Sequence, residues 1–371
     1  MSALAVASIA ALLPIVPGHA APHAAARAAE LTASAGADAQ PRRSAAAPPP
    51  ALGVQFHGMW STYTDAERAH ALDQMRAMGA EWVRIDVGWS MIQPTRRGEY
   101  DLRWGVPFVD RVIRQAHSRG FKVLVMFWLT PGWANGNRGA RVAPTHPEDY
   151  ANAAAWAVKR WGSKVSAWEV WNEPNSDDFL VGASPSQYTD LLCAADRAMH
   201  RAQESVKVVY GGTMHNDDAW IARTYKAGVK GCFDILATHP YTGPSDAGPR
   251  APSDGDSWEF RNIESVRQVQ LRHNDAKPIW LTEFGWSSHP NDGSEAPWEV
   301  GVTQERQGEL AVRALEVVRN RYRYVNAAFW YNELNKSTGN EHQDNFGILT
   351  RSGERKPIWH RLRTYLDQHG S

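Results

Sequence analysis

A single (β/α)8 barrel is the fold the sequence predicts for residues 51–371, and three observations predict it. Eight short apolar runs recur along this stretch, amphipathic segments with helix-start signals fill the spaces between them, and polar and aromatic residues gather where the runs end. The runs are Leu52–Phe56, Trp82–Val87, Phe121–Trp128, Ala167–Trp171, Val206–Tyr210, Phe233–His239, Pro278–Thr282 and Val325–Trp330. Near-continuous rather than alternating apolarity marks parallel strands covered on both faces. Helices are expected to begin at Asp65, before Ala66-Glu67-Arg68, at Ser184-Pro185, and at Thr303, ahead of a segment carrying Leu310, Leu315 and Val318. Gly79 and Gly120 stand where left-handed C-caps are needed. A doubly wound sheet would carry a Gly-rich phosphate loop after its first strand; none follows Phe56, and no repeat is visible beyond the alternation itself.

Composition narrows the function classes. Lys plus Arg and Asp plus Glu are both 40, a formal net charge of zero, without the basic surplus of a nucleic-acid binder. No apolar run reaches the roughly 18 residues of a membrane span. Hydrophobic residues make up 43%, enough for a large core, and 17 tryptophans serve either that core or a groove that stacks flat ligands. Residues 1–20 resemble a secretory signal: 3–16 are mostly apolar, and Gly18-His19-Ala20 offers small residues at both peptidase positions, although the first basic residue is Arg27. Residues 21–50, rich in Ala and closing on Pro48-Pro49-Pro50, read as a disordered linker. The expectation is export, secreted or periplasmic, of a monomer. Cys193 and Cys232 are too few for a disulfide scaffold; a bond and two buried thiols both remain open.

In such a barrel the chemistry sits where strands end. Those ends carry His57 and Trp60, Arg84 and Trp89, Trp128 and Trp133, Asn172 and Glu173, His239 and Tyr241, Glu283 and Trp286, and Trp330. Glu173 and Glu283 stand 110 residues apart, on the fourth and seventh strands, which face each other across a barrel mouth. Two carboxyls flanking one bond are what glycoside hydrolysis needs: one gives a proton to the leaving oxygen, the other meets the developing oxocarbenium ion.

Trp171-Asn172-Glu173-Pro174 and Thr282-Glu283-Phe284-Gly285-Trp286, with Trp330 ending strand eight, resemble the acid/base and nucleophile motifs of clan A glycoside hydrolases, the "4/7" superfamily of retaining barrels. The likeness spans nearly all of residues 52–360. Trp168-Glu169-Val170-Trp171-Asn172-Glu173-Pro174-Asn175 and His239-Pro240-Tyr241 look most like family 39 and its neighbours, including bacterial exopolysaccharide hydrolases, with family 5 cellulase-like enzymes close behind. One departure separates the chain from family 5, whose third strand often ends in His; here that end reads Phe127-Trp128-Leu129-Thr130.

The resemblance implies Glu173 as acid/base and Glu283 as nucleophile. It implies Asn172 on the sugar 2-hydroxyl, Arg84 and Tyr241 holding Glu283 ionised, His239 beside the acid/base or the sugar rim, and Trp330 as the floor of the −1 subsite. His57, Trp128 and Trp286 join them as candidate lining residues, and at least two of Trp128, Trp133, Trp286 and Trp298 are expected to line a groove. Arg84 has the alternative of a barrel ion pair with Asp86. Glu333, Glu341 and Asp344 follow the last strand and read as a solvated loop, with substrate contact as the alternative; 130–143 reads as a long mobile loop over the site, and 242–257 and 287–301 look similar. The physics agrees with the resemblance. A carboxylate beside a guanidinium and a phenol stays charged, and its negative charge pushes a facing carboxyl toward protonation. No cofactor or metal is expected. The competing readings are a carbohydrate-binding barrel without turnover and a metal-dependent barrel hydrolase.

Overall fold

The computed structural model describes residues 48–60 and 62–369. The signal segment and residues 21–47 of the linker lie outside them. All eight expected strands form, as nine segments of one all-parallel sheet: β1 (Ala51–Gln55), β2 (Trp82–Gly88), β3 (Lys122–Trp128), β4 (Ala167–Val170), β5 (Val208–Tyr210), β6 (Thr213–Met214), β7 (Leu236–His239), β8 (Ile279–Phe284) and β9 (Val325–Trp330). The ninth segment arises because the fifth stave breaks at Gly211-Gly212: β5 pairs with β4 and β6 with β7. The ring closes across the break, where Val209 bridges Ile235 and the Tyr210 N–H donates to the Ile235 carbonyl at 2.9 Å.

Among the described residues eight long helices wrap the staves: α1 (Asp65–Met78), α3 (Gly105–His117), α5 (Pro147–Trp161), α6 (Pro185–Ala202), α7 (Asp218–Lys226), α8 (Ile263–Arg272), α9 (Gln304–Arg321) and α11 (Pro357–His369). The single turns α2 (Trp89–Ile92), α4 (Gly132–Asn135) and α10 (Glu341–Asp344) lie in the loops that leave β2, β3 and β9. Ser184 and Thr303 cap as expected; at α1 the cap is Thr64 rather than Asp65, because the Thr64 hydroxyl accepts the Glu67 N–H and the Glu67 carboxylate accepts the Thr64 N–H. Cys193, in α6, is bonded to Cys232, with Cα atoms 4.6 Å apart. No described helix is long and apolar enough to cross a membrane.

The barrel interior is layered. Trp82, Leu124, Ala167, Val209, Ala237, Trp280, Ala327 and Phe329 form one buried apolar cluster, with Trp82, Trp280 and Phe329 meeting at 5.0–6.1 Å between ring centres. Gly53 is required there: a Cβ on it would lie 2.2 Å from the Phe329 ring. Side chains two residues further along a strand point to the same face. Two residues on from Gly53, Trp82, Ala167, Ala237 and Trp280 stand Gln55, Arg84, Glu169, His239 and Thr282, all at most 2% exposed. The apolar layer thus gives way within one pleat repeat to a layer of hydrogen-bonding groups.

Candidate active site

The polar layer is a single network around Arg84. Its Nε donates to Glu169 at 2.6 Å, one terminal nitrogen to Gln55 at 2.8 Å and to Glu283 at 2.5 Å, and the other to Asn172 at 2.7 Å. The Arg84–Asp86 ion pair is therefore not formed; Asp86, one pleat further on, keeps its Oδ1 buried without a hydrogen-bond partner. The Tyr241 hydroxyl donates to the second Glu283 oxygen at 3.0 Å. Across the mouth, Glu173 lies 2.8 Å from His239 Nδ1, and His239 Nε2 lies 3.0 Å from the Thr282 hydroxyl.

The chain is bent to bring Glu173 there. Trp171 and Glu173 have φ of 72° and 41°, a left-handed conformation that side chains rarely adopt. The Glu173 N–H is held by the Gly212 carbonyl at 2.9 Å. Gly212 also makes room, since a Cβ on it would lie 2.2 Å from His239 Nε2.

One carboxylate oxygen of Glu173, one of Glu283 and a His239 nitrogen all lie within 4.8 Å of one another. Burial opposes charge on all three, yet the net directions part. Glu173 is raised, by burial and by the Glu283 charge, against the pull of His239. Glu283 is lowered, because His239, Arg84 and the Tyr241 hydroxyl outweigh its burial. His239 is raised, because the two carboxylates outweigh its burial. Among the described residues this is the group of ligand-type side chains tight enough to consider for a cation. It does not fit one: Arg84 and Tyr241 occupy both Glu283 oxygens, and a guanidinium 2.5 Å from a ligand oxygen repels a metal ion.

A second polar cluster adjoins the first between β1 and β9. The His57 backbone N–H and ring Nδ1 lie 2.9 and 3.0 Å from the two oxygens of Glu333, and the Tyr63 hydroxyl donates to Glu333 at 3.2 Å. Lys336 Nζ donates to the Tyr331 hydroxyl at 2.8 Å and lies over the Trp60 ring at 4.5 Å. Its burial brings its pKa down to about 8. Glu333 is fully buried, not solvated as the sequence suggests, and His57 and the nearby Lys336 hold it below the ordinary carboxylate range in spite of that burial. Glu341 is exposed, as read; Asp344 is buried and accepts the Thr338 and Gly339 N–H groups.

The tryptophan expectations need correction. Trp330 is fully buried and Trp286 is 2% exposed. They stack on each other at 6.3 Å and donate to the carbonyls of Phe346 and Ala247. The chain after β7 and after β9 covers them, so neither offers a ring face to a ligand. Trp133 packs edge-on against Trp89 and donates to the Gln93 carbonyl, while Trp128 lies against Phe179, 9% exposed. Trp60 and Tyr331 are half-buried, and so is Tyr241, whose hydroxyl bonds Glu283. The loop 130–143 is pinned rather than loose: it contains α4, and the Asn135 amide spans it to the carbonyls of Gly139 and Val142.

The family model of glycosyl hydrolases family 39 matches residues 151–367, more than half of the chain. The chain belongs to glycosyl hydrolase family 39. The family 1 model also matches, over 63–229. A beta-xylosidase of Caldicellulosiruptor saccharolyticus is 26% identical over 214 residues, 54% of this chain and 42% of that protein, so the family 39 chain described here spans less than half of that relative. A family 39 glycoside hydrolase from Bacteroides cellulosilyticus WH2 superposes with a TM-score of 0.68 at 23% identity, covering 86% of this chain and 63% of the other. The family 39 enzyme of Xanthomonas axonopodis pv. citri gives 0.66 at 19%, covering 88% and 69%. At these identities the two superpositions show the barrel fold.

Proposed function

We propose that the protein is an exported, metal-independent retaining glycoside hydrolase that cleaves β-linked oligo- or polysaccharides by double displacement. One observation carries the reading: two carboxylates with oxygens within 4.8 Å of each other, one biased toward its proton and the other toward its charge. Retaining enzymes hold their carboxyl groups about 5–5.5 Å apart, whereas inverting enzymes leave room for a water. Glu283 attacks the anomeric carbon while Glu173 protonates the leaving oxygen. The ester of Glu283 is then hydrolysed by a water whose proton passes to Glu173.

The supporting side chains fit this scheme. Arg84 takes the Asn172 carbonyl oxygen, which leaves the Asn172 NH2 to meet the sugar 2-hydroxyl. His57, Glu333 and Lys336 offer donors and acceptors for the hydroxyls on the far side of the same ring. A binding barrel without turnover has no use for two carboxylates held in opposite charge states. The Cys193–Cys232 bond supports export, since disulfides persist in oxidising compartments.

The test is kinetic. Glu283→Ala is expected to abolish hydrolysis of aryl β-glycosides while leaving oligosaccharide binding intact. Glu173→Ala should spare substrates with activated leaving groups and be rescued by azide, with the azide product retaining configuration. Chelators should have no effect. Full activity in Glu283→Ala would overturn the mechanism.

A further inference from the structure

The hydrogen bonds behind His239 fix which of its nitrogens bears a proton. Glu169, fully buried on β4, accepts from Arg84 Nε at 2.6 Å, from the Gly212 N–H at 2.9 Å and from the Thr282 hydroxyl at 2.8 Å. A carboxylate clamped by a guanidinium and a backbone N–H is an acceptor, so the single hydroxyl proton of Thr282 points to Glu169. The Thr282 oxygen, 3.0 Å from His239 Nε2, then has only lone pairs to offer in that direction. Nε2 must be the N–H. On a neutral ring Nδ1 is therefore bare, and it lies 2.8 Å from Glu173.

We propose that Glu169 and Thr282 are positioning residues that lock His239 in its Nε2–H tautomer, so that Glu173 and His239 Nδ1 share one proton and Glu173 recovers its basicity after giving that proton away. The inference rests on the reading of Glu173 as acid/base. In the first step the shared proton leaves on the departing oxygen as the C1–O bond breaks and the C1–Oε bond to Glu283 forms. The Glu173 carboxylate then faces the lone pair of Nδ1, not an N–H, and nothing on His239 stabilises its charge. It is left as a strong base for the water that attacks C1. Bond formation from water oxygen to C1 breaks the ester to Glu283, and the water's proton restores the shared one. The opposite tautomer would donate to the carboxylate, holding Glu173 acidic and making it a poor base in the second step.

The other charges facing His239 are consistent with one shared proton. Glu283, on β8, lies 3.9 Å from Nδ1 and favours a protonated ring; Arg84, on β2, opposes it. His215, bridged to His239 from the end of β6, is brought down to about 4 by burial, so it is neutral during turnover and adds no charge against the ring. Tyr241, two residues on, is pushed far above its ordinary range by burial and stays a phenol. The proton is thus confined to Glu173 and Nδ1.

Thr282→Val removes the hydroxyl at nearly constant volume, and Thr282→Ser keeps it. In Thr282→Val the ring is free to carry its proton on Nδ1, and the alkaline limb of kcat/KM is expected to fall by about one pH unit, tenfold in proton affinity. kcat on substrates limited by the second step should fall more than kcat/KM, and Thr282→Ser should restore both. The ring tautomer is read independently by 15N NMR of His239: protonated Nε2 and bare Nδ1 in the wild type above the titration of the pair, and a shift toward protonated Nδ1 in Thr282→Val. Protonated Nδ1 on a neutral wild-type ring, or an unmoved alkaline limb in a folded Thr282→Val, overturns the proposal. Because the NMR readout does not depend on turnover, it separates failure of the tautomer lock from failure of the acid/base assignment, which azide rescue tests.

Discussion

Trp82 and Arg84 sit two residues apart on the same face of β2, and the layers they enter are held by opposite rules. Trp82 meets Trp280 and Phe329 in an apolar cluster. Its stabilisation follows from apolar area and contact, and a lost ring costs in proportion to the space it leaves. Arg84 meets Glu169, Glu283, Gln55 and Asn172, and there the energy lies in pairing. Removing one member leaves its partners charged and dry, a larger loss than the pair itself contributes. The lower layer holds the barrel together; the upper one spends part of that stability on holding two carboxylates in different charge states.

The largest expected effect comes from breaking the upper layer at its centre. Arg84→Met leaves Glu169 and Glu283 buried without a counter-charge. A loss of about 3–5 kcal/mol in stability is expected, and on the order of a thousandfold in kcat/KM from lost electrostatic organisation. Adding Glu169→Gln should return part of the stability and none of the activity, read by urea unfolding and by kinetics on one aryl glycoside. An Arg84→Met enzyme within threefold of wild type would show that Glu283 does not depend on this pairing.

Trp280→Ala makes the contrasting break. The cavity it leaves should cost about 3–5 kcal/mol, as much stability as Arg84→Met. At a temperature where the variant is folded, the pH profile of kcat/KM should superimpose on that of the wild type. A displaced limb would mean the two layers are coupled and the distinction between them fails.

Glu333→Gln probes the adjoining cluster, where the sequence was least informative. It leaves His57 and Lys336 without their carboxylate, and a decrease of about ten- to a hundredfold in kcat/KM is expected from one buried hydrogen-bonding group, with both pH limbs in place. Movement of a limb would place Glu333 in the proton chemistry instead of in sugar recognition.

The strands were legible because burial on both faces leaves an unbroken apolar signature, and all eight runs became staves of the barrel. Glu173, Glu283, Arg84, His239 and Tyr241 were legible because each ends or interrupts such a run. Glu169 carries the same signal, a charge inside Ala167–Trp171, and passed unnoticed beside the louder Glu173. Thr282 gives no signal, since a threonine in a strand is ordinary and only its contacts with Glu169 and His239 distinguish it. Glu333 and Lys336 lie in a loop whose burial depends on chain brought from β1, which no local pattern encodes. Trp286 and Trp330 misled for the converse reason: ring chemistry is the same in a platform and in a packed pair, and only the covering loops decide which it is.

Lys356 supplies a third case, a buried cation whose hydrogen-bond acceptors among the described residues are all neutral. It is 1% exposed, and its Nζ reaches the Ser288 hydroxyl, the Asn335 side-chain oxygen and the Asn345 carbonyl at 2.9–3.2 Å. Unlike Arg84 it is paired with no carboxylate among the described residues, and burial brings its pKa down to about 7. The unfolded chain keeps that proton up to about 10.4. Between these values the unfolded state binds more protons than the native one, so this group makes stability rise with pH from about 7 to about 10 and contributes no slope below 7. Lys356→Met removes the term. The wild-type stability minus that of the variant should therefore climb across the window, by at most about 1.4 kcal/mol per pH unit, in urea unfolding at pH 7, 8 and 9. A difference that stays flat would mean that Ser288, Asn335 and Asn345 hold the lysine charged without help from a counter-charge.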